Sequence, residues 1–198
     1  MRFVILIGTA IAFAGPAAGA ADTGVMIEDN RFVPRGVVEM VGERVSWTRA
    51  PGSVEPHNVR EDERLFRSGP VTEGPIAFVA VLSAGSFHYF CEAHGSQVGG
   101  MDGVVRVSPL VDGGPTGRRF TVTWATNDAS TGSRFDVQFR RGGGRWEEWK
   151  EDTRSLRGIF GKHGDPERAR DGARYRFRAR SGRGEAESRW SPVASFVV

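Results

Sequence analysis

A chain of 198 residues and 21.6 kDa allows one large or two small domains, each with its own hydrophobic core, and excludes both a short peptide and a large assembly. Apolar residues make up 39%, and 13 Phe with 5 Trp supply more burial than a disordered chain carries; 27 Gly and 10 Pro without a repeating period exclude a collagen-like array and favour short strands separated by turns. The formal charge of +3 hides two unlike halves: residues 21–108 hold 8 Arg against 12 Asp and Glu, net −4, whereas residues 109–198 hold 16 Arg and 2 Lys against 12 acids, net +6.

In chain order, residues 1–21 read as a secretory signal, with Arg2, an apolar stretch over 3–13, and the small residues Ala18-Gly19-Ala20 ahead of Asp22. Gly8, Gly15 and Pro16 interrupt that stretch, which is barely long enough for the rival reading, an uncleaved anchor. No later segment could cross a membrane. The expected location is therefore secreted or periplasmic. Residues 25–27, 37–41, 45–47, 76–82, 87–91 and 104–107 alternate apolar with polar positions and predict strands. Turn chemistry lies between them at Asp29-Asn30, Gly42-Glu43, Pro51-Gly52, Gly69-Pro70, Ala84-Gly85 and Gly99-Gly100. A domain over 22–108 follows, then a linker at 109–115 rich in Pro and Gly, then a second all-β domain over 116–198. In that domain Phe120 to Trp124, Phe135 to Phe139 and Tyr175 to Ala179 alternate, with Arg174, Arg176, Arg178 and Arg180 on the wet face. These arginines are interleaved with acids elsewhere and read as a solvated face, so no nucleic-acid partner is expected.

Cys91 is the sole cysteine, and an unpaired cysteine in an exported protein suggests a reactive thiol, an intermolecular bond or a metal ligand. It closes the run Phe87-His88-Tyr89-Phe90-Cys91, and His94 and Met101 follow in a glycine-rich stretch, so thiolate, imidazole and thioether lie within eleven residues. Soft sulfur with imidazole suits copper, and two His with one Cys and a weak distant Met is the set of electron-transfer copper sites. One more histidine is required. Of the four, His57 is the best placed, in a loop after the Trp47 strand; His88 should point to the opposite sheet face from Cys91, and His163 sits in a surface loop of the second domain.

The segment 22–108 resembles the plastocyanin-like small blue copper proteins, the cupredoxins. The resemblance rests on Asp29-Asn30 with Phe32 and Pro34, Gly42 to Trp47, His57-Asn58-Val59, Phe66 to Gly69, Ala84 to Phe87, and Cys91-x-x-His94 leading to Met101, Gly103 and Val105. It implies a Greek-key β-sandwich holding one mononuclear type 1 copper, with His57, Cys91 and His94 as equatorial ligands, Met101 as axial ligand, and Asn58 tying the ligand loops together by hydrogen bonds. Six residues separate His94 from Met101, a longer loop than the shortest of the family, and Gln97 is the alternative axial donor. Phe87, Tyr89, Phe90 and Val98 are expected to keep water from the metal.

Residues 116–198 resemble a fibronectin type III module, an immunoglobulin-like β-sandwich, through Trp124, Trp146 with Trp149, Tyr175 to Ala179 and Ser188-Arg189-Trp190-Ser191-Pro192. Such modules bind or space other domains, so protein or surface binding is expected there, and Trp190 is placed to lie across the arginine row as a cation–π partner. The leading function is exported electron transfer between redox protein partners by a copper cycling Cu(II)/Cu(I); the alternative is copper storage or delivery, or a binding protein whose metal is structural. An enzyme is not expected, since copper oxidases and nitrite reductases need further histidine-rich clusters.

Overall fold

A computed structural model describes residues 22–113, 119–129, 132, 134–161, 164–166 and 168–198. The expected signal at 1–21 and His163 lie outside the described residues, which are all-β and contain no helix, and hence none long and apolar enough to cross a membrane.

The N-terminal sandwich has two four-stranded sheets. β1 (Asp22–Glu28), β2 (Arg31–Val33), β4 (Arg44–Arg49) and β6 (Ala77–Val81) run in the order β2-β1-β4-β6; β3 (Gly36–Met40), β5 (Arg60–Glu61), β7 (Gly85–Ser96) and β8 (Gly99–Ser108) run in the order β3-β8-β7-β5. Two pairings are parallel, β1 with β4 and β3 with β8, so the chain changes sheets between strands that are neighbours in sequence. Alternation drives the burial: in β4, Val45 and Trp47 are buried while Arg44 and Thr48 face out. The core is aromatic, with Trp47 and Phe32 edge-on to Tyr89 at ring separations of 5.4 and 4.9 Å. Asp29 and Asn30 form the tight turn between β1 and β2, Asn30 in the left-handed region at φ 64° that asparagine tolerates.

The second sandwich packs β9 (Leu110–Gly113), β10 (Phe120–Thr123) and β13 (Arg157–Phe160), in the order β13-β10-β9, against a five-stranded sheet. That sheet runs β12 (Glu147–Thr153), β11 (Arg134–Arg141), β14 (Arg174–Arg183), β15 (Ala186–Glu187), with β16 (Ala194–Val197) also paired to β14. The stretch expected as the linker thus contains a strand: β9 pairs antiparallel with β10 through Leu110 to Gly113. Its Pro and Gly neighbours obscure a run of only four residues. Tyr175, Phe177 and Ala179 of β14 are fully buried, as their alternation requires, and the intervening arginines stand on the outer face.

The two sandwiches meet around the start of β7. Ser86 and Arg189 exchange backbone hydrogen bonds of 2.9 and 3.1 Å, Ser86 Oγ donates to the Trp190 carbonyl at 2.9 Å, and the Ala84 N–H donates to the Trp124 carbonyl at 2.7 Å. Val41 packs against both hydrophobic cores.

Candidate metal centre

β7 carries the cysteine, and its ladder with β8 breaks where Cys91 and His94 lie. Phe90 is opposite Asp102 and Gly95 opposite Gly100, so the four residues 91–94 face Met101 alone. This wide bulge throws Cys91 and His94 toward the end of the sandwich and brings the strands together again at once. Close approach explains a glycine here: a Cβ on Gly95 would lie 2.6 Å from the Met101 carbonyl oxygen and 2.9 Å from its nitrogen. On the other sheet, β4 ends at Arg49 and the chain loops back with His57. The Arg49 guanidinium donates to the carbonyls of Ser53, Glu55, Thr72 and Gly74, and His57 exchanges backbone bonds of 2.9 and 3.0 Å with Thr72. Asp29, from the first turn, accepts from Ser53 Oγ and from the N–H groups of Val54 and Glu55, which hold its carboxyl down at about 2. Neither anchor was expected from the sequence, because their partners are carbonyls and N–H groups that carry no residue signature.

The side chains of His57, Cys91 and His94 converge. Cys91 Sγ lies 3.7 Å from Nδ1 of His57 and 3.7 Å from Nδ1 of His94, the two rings are 5.0 Å apart, and one donor atom from each residue falls within 4.8 Å of the others. Metal–sulfur and metal–nitrogen bonds of about 2.3 and 2.0 Å meeting near 120° place sulfur and nitrogen about 3.7 Å apart. The donor set fits a trigonal ion.

Both imidazoles present Nδ1 to the sulfur and turn Nε2 elsewhere. Nε2 of His57 lies 3.2 Å from Ser53 Oγ and 3.5 Å from an Asp29 oxygen; Nε2 of His94 lies 3.8 Å from Glu55. A proton held on Nε2 leaves the Nδ1 lone pair free to ligate. His57 is completely buried, and that burial, with the nearby His94 and Arg49, pushes its pKa below the ordinary histidine value although Asp29 pulls the other way. Burial thus favours the neutral ring, the form able to ligate.

Asn58 joins the two ligand segments. Its Oδ1 accepts the Glu92 N–H at 2.9 Å, while Nδ2 donates to the Gly69 carbonyl at 3.0 Å and to the Glu92 carboxylate at 2.5 Å. Glu92, one residue beyond Cys91, is also clasped by Arg67 at 2.5 Å and Arg60 at 3.4 Å; burial raises its pKa, but these partners prevail and lower it.

Met101 is 2% exposed within the same core as Cys91, on the strand facing the bulge. Gln97 is exposed, and its amide donates to the Asp62 carbonyl at 3.0 Å, so it is already engaged on the outer surface. Phe87, Tyr89 and Phe90 are buried as expected, but Val98 is 96% exposed and shields nothing. It occupies the tip of the β7–β8 turn with Gln97, where the ladder projects both side chains into solvent. His88 lies on the outer face, between Asp62 at 2.7 Å and Asp102 at 3.0 Å, and takes no part in the cluster.

No protein-family model matches the sequence, and no curated protein matches it. Solved structures do show similarity. A mutant fern plastocyanin is 22% identical, with 43% of this chain and 99% of that chain covered and a TM-score of 0.36. Amicyanin from Paracoccus versutus is 29% identical, covering 49% and 89%, with a TM-score of 0.34. Domains A168–A170 of titin are 18% identical, covering 82% of this chain and 61% of that one, with a TM-score of 0.34.

Proposed function

We propose that the protein is an exported electron carrier of the cupredoxin kind, holding one type 1 copper on His57, Cys91 and His94 with Met101 as weak axial donor. The observation that carries this reading is the convergence of one thiol sulfur and two Nδ1 atoms from loops 34 residues apart, at mutual spacings of 3.7 Å to the sulfur. Copper bound there would supply a one-electron Cu(II)/Cu(I) couple.

The chain's own part is to hold the donors still and dry. His57 and Cys91 have no solvent exposure, and the aromatic residues Phe87 and Tyr89 flank Cys91 on its strand with none either. Asn58, Arg49 and Asp29 fix the His57 loop by hydrogen bonds, so the donor positions need not move when the charge on the metal changes. Small movement means a low barrier to exchange. The His94 side chain is 18% exposed and offers the route by which an electron reaches a redox protein partner. Three protein donors and a thioether leave no open position for a substrate, which supports a carrier over an enzyme.

Adding Cu(II) to the apoprotein tests the reading. An intense blue thiolate-to-copper band is expected, absent in Cys91→Ser, together with reversible one-electron voltammetry. A colourless complex, or a band that persists in Cys91→Ser, refutes the assignment. Because ligation requires a thiolate and neutral imidazoles, the band should fade on acidification.

A further inference from the structure

A cleft of about 590 Å3 lies where the outer face of β3, β8 and β7 meets residues 189 and 190 of the second sandwich. Arg35, His88, Arg106 and Arg189 bring four basic side chains to it, against Asp102 as the one carboxylate in the lining. That carboxylate is already engaged, by Arg35 at 2.7 Å and His88 at 3.0 Å. His88 also contacts Asp62 at 2.7 Å; burial opposes its charge, but the hydrogen bonds to Asp102 and Asp62 prevail and raise its pKa. Two guanidinium groups stand outside that pairing with Asp102. Among the described residues Arg106 has no ion-pair partner, and Arg189, 77% exposed, pairs with a carboxylate only at Asp62, at the long distance of 3.8 Å. One comes from each sandwich.

Val104, Gly36 and Trp190 supply the apolar part of the cleft's lining. Gly36 is not required by its backbone, and a Cβ there would meet nothing nearer than Val104 at 3.8 Å and Arg106 Nη1 at 4.0 Å. Its missing side chain leaves the cleft unfilled beside a free guanidinium. The volume falls within the range of small-molecule sites and far exceeds what one inorganic oxyanion fills.

We propose that this cleft binds a small organic dicarboxylate, one carboxylate taken by Arg106 and the other by Arg189, with its carbon body over Val104 and Gly36. Guanidinium forks match carboxylates in geometry as well as charge. None of His57, Cys91, His94 and Met101 lines the cleft, so apoprotein and copper-loaded protein should bind alike.

Calorimetric titration of the full-length chain with succinate and with terephthalate, at pH 7 and low salt, tests the site. At least one should bind with a Kd of about 1 mM or tighter. Arg106→Gln and Arg189→Gln should each weaken it about tenfold or more, and Gly36→Leu should abolish it. Amide chemical shifts of the unsubstituted protein supply a second readout, moving at residues 36, 86, 104 and 190. Failure of both dicarboxylates to bind overturns the proposal, as does binding that survives both arginine variants, shifts confined to other surfaces, or inorganic phosphate binding as tightly.

Discussion

Single side chains decide how firmly the metal centre is held, and two of them are open to direct test. Asn58 spends both ends of its amide on linking the His57 loop to Glu92 and Gly69. Asn58→Ala leaves the half-buried Glu92 N–H without its acceptor, and copper dissociation measured by transfer to a chelator should speed up about tenfold or more. Glu61 is 2% exposed and accepts the N–H groups of Glu63 and Leu65 at 2.8 and 3.0 Å. Burial pushes its pKa up to about 7, above the ordinary carboxylate value, despite those bonds and with the nearby Asp62 and Glu63 adding to the rise. The folded protein therefore holds this proton more tightly than the unfolded chain, and stability from it is present at pH 4 and lost as pH rises toward 7. Glu61→Gln should raise Tm by about 3 °C or more at pH 8 and change it little at pH 4.5; equal shifts at both pH values would contradict this account. The role of Asn58 was legible in the sequence through the resemblance of its neighbourhood, but the burial of Glu61 was not. A Glu among Arg60, Asp62, Glu63 and Arg64 reads as surface, and only its two-residue strand beside β7 turns it inward.

Elements carry the next level of organisation, and β14 is the clearest case. Its arginines were expected on the wet face with Trp190 across them, and the structure places the Arg178 and Arg180 guanidinium carbons 4.6 and 5.0 Å from the Trp190 ring centre. The stack is longer than expected. Trp146 covers the other side of Arg178 at 4.4 Å and also receives Arg140 at 4.5 Å, giving an alternating ladder across β11, β14 and the flanking loops. Each exposed contact of this kind contributes about 0.5 to 1 kcal/mol, so Trp190→Ala, which removes two, should lower Tm by about 2 to 8 °C; an unchanged melt would show that the ring only shields the edge. Trp146 and Trp149, three residues apart, have the same chemistry and opposite fates. Strand register, not composition, sends Trp149 into the core against Trp124 and Phe160 while Trp146 stays outside. The bulge at residues 91–94 escaped the sequence reading for a similar reason: alternation shows where a strand runs, and four unpaired residues in its middle leave no periodic trace.

At the scale of the whole molecule, the strand that carries Cys91 begins inside the junction between the sandwiches. Gly85 opens β7, and a Cβ there would sit 2.6 Å from Ser188 Oγ and 2.7 Å from Phe87 Cζ. Gly85→Ala must push either the second sandwich or the Phe87 ring aside, and a loss of about 1 to 3 kcal/mol is expected from such overpacking. Urea unfolding followed by tryptophan fluorescence measures it, and a midpoint equal to that of the unsubstituted protein would show that the junction yields without cost. The same junction forms the cationic cleft, whose residues lie as far apart in the chain as Arg35 and Arg189. By itself the sequence determined the all-β class, the alternating faces of the strands, and the candidate sulfur and imidazole donors, because each of these follows from local periodicity or from the scarcity of a residue type. Tertiary structure alone decided that the donors stand 3.7 Å apart, that Val98 points away, that β9 occupies the expected linker, and that two arginines share a cleft. Those are distances between residues remote in the chain, and they arise only when sheets choose their register and pack.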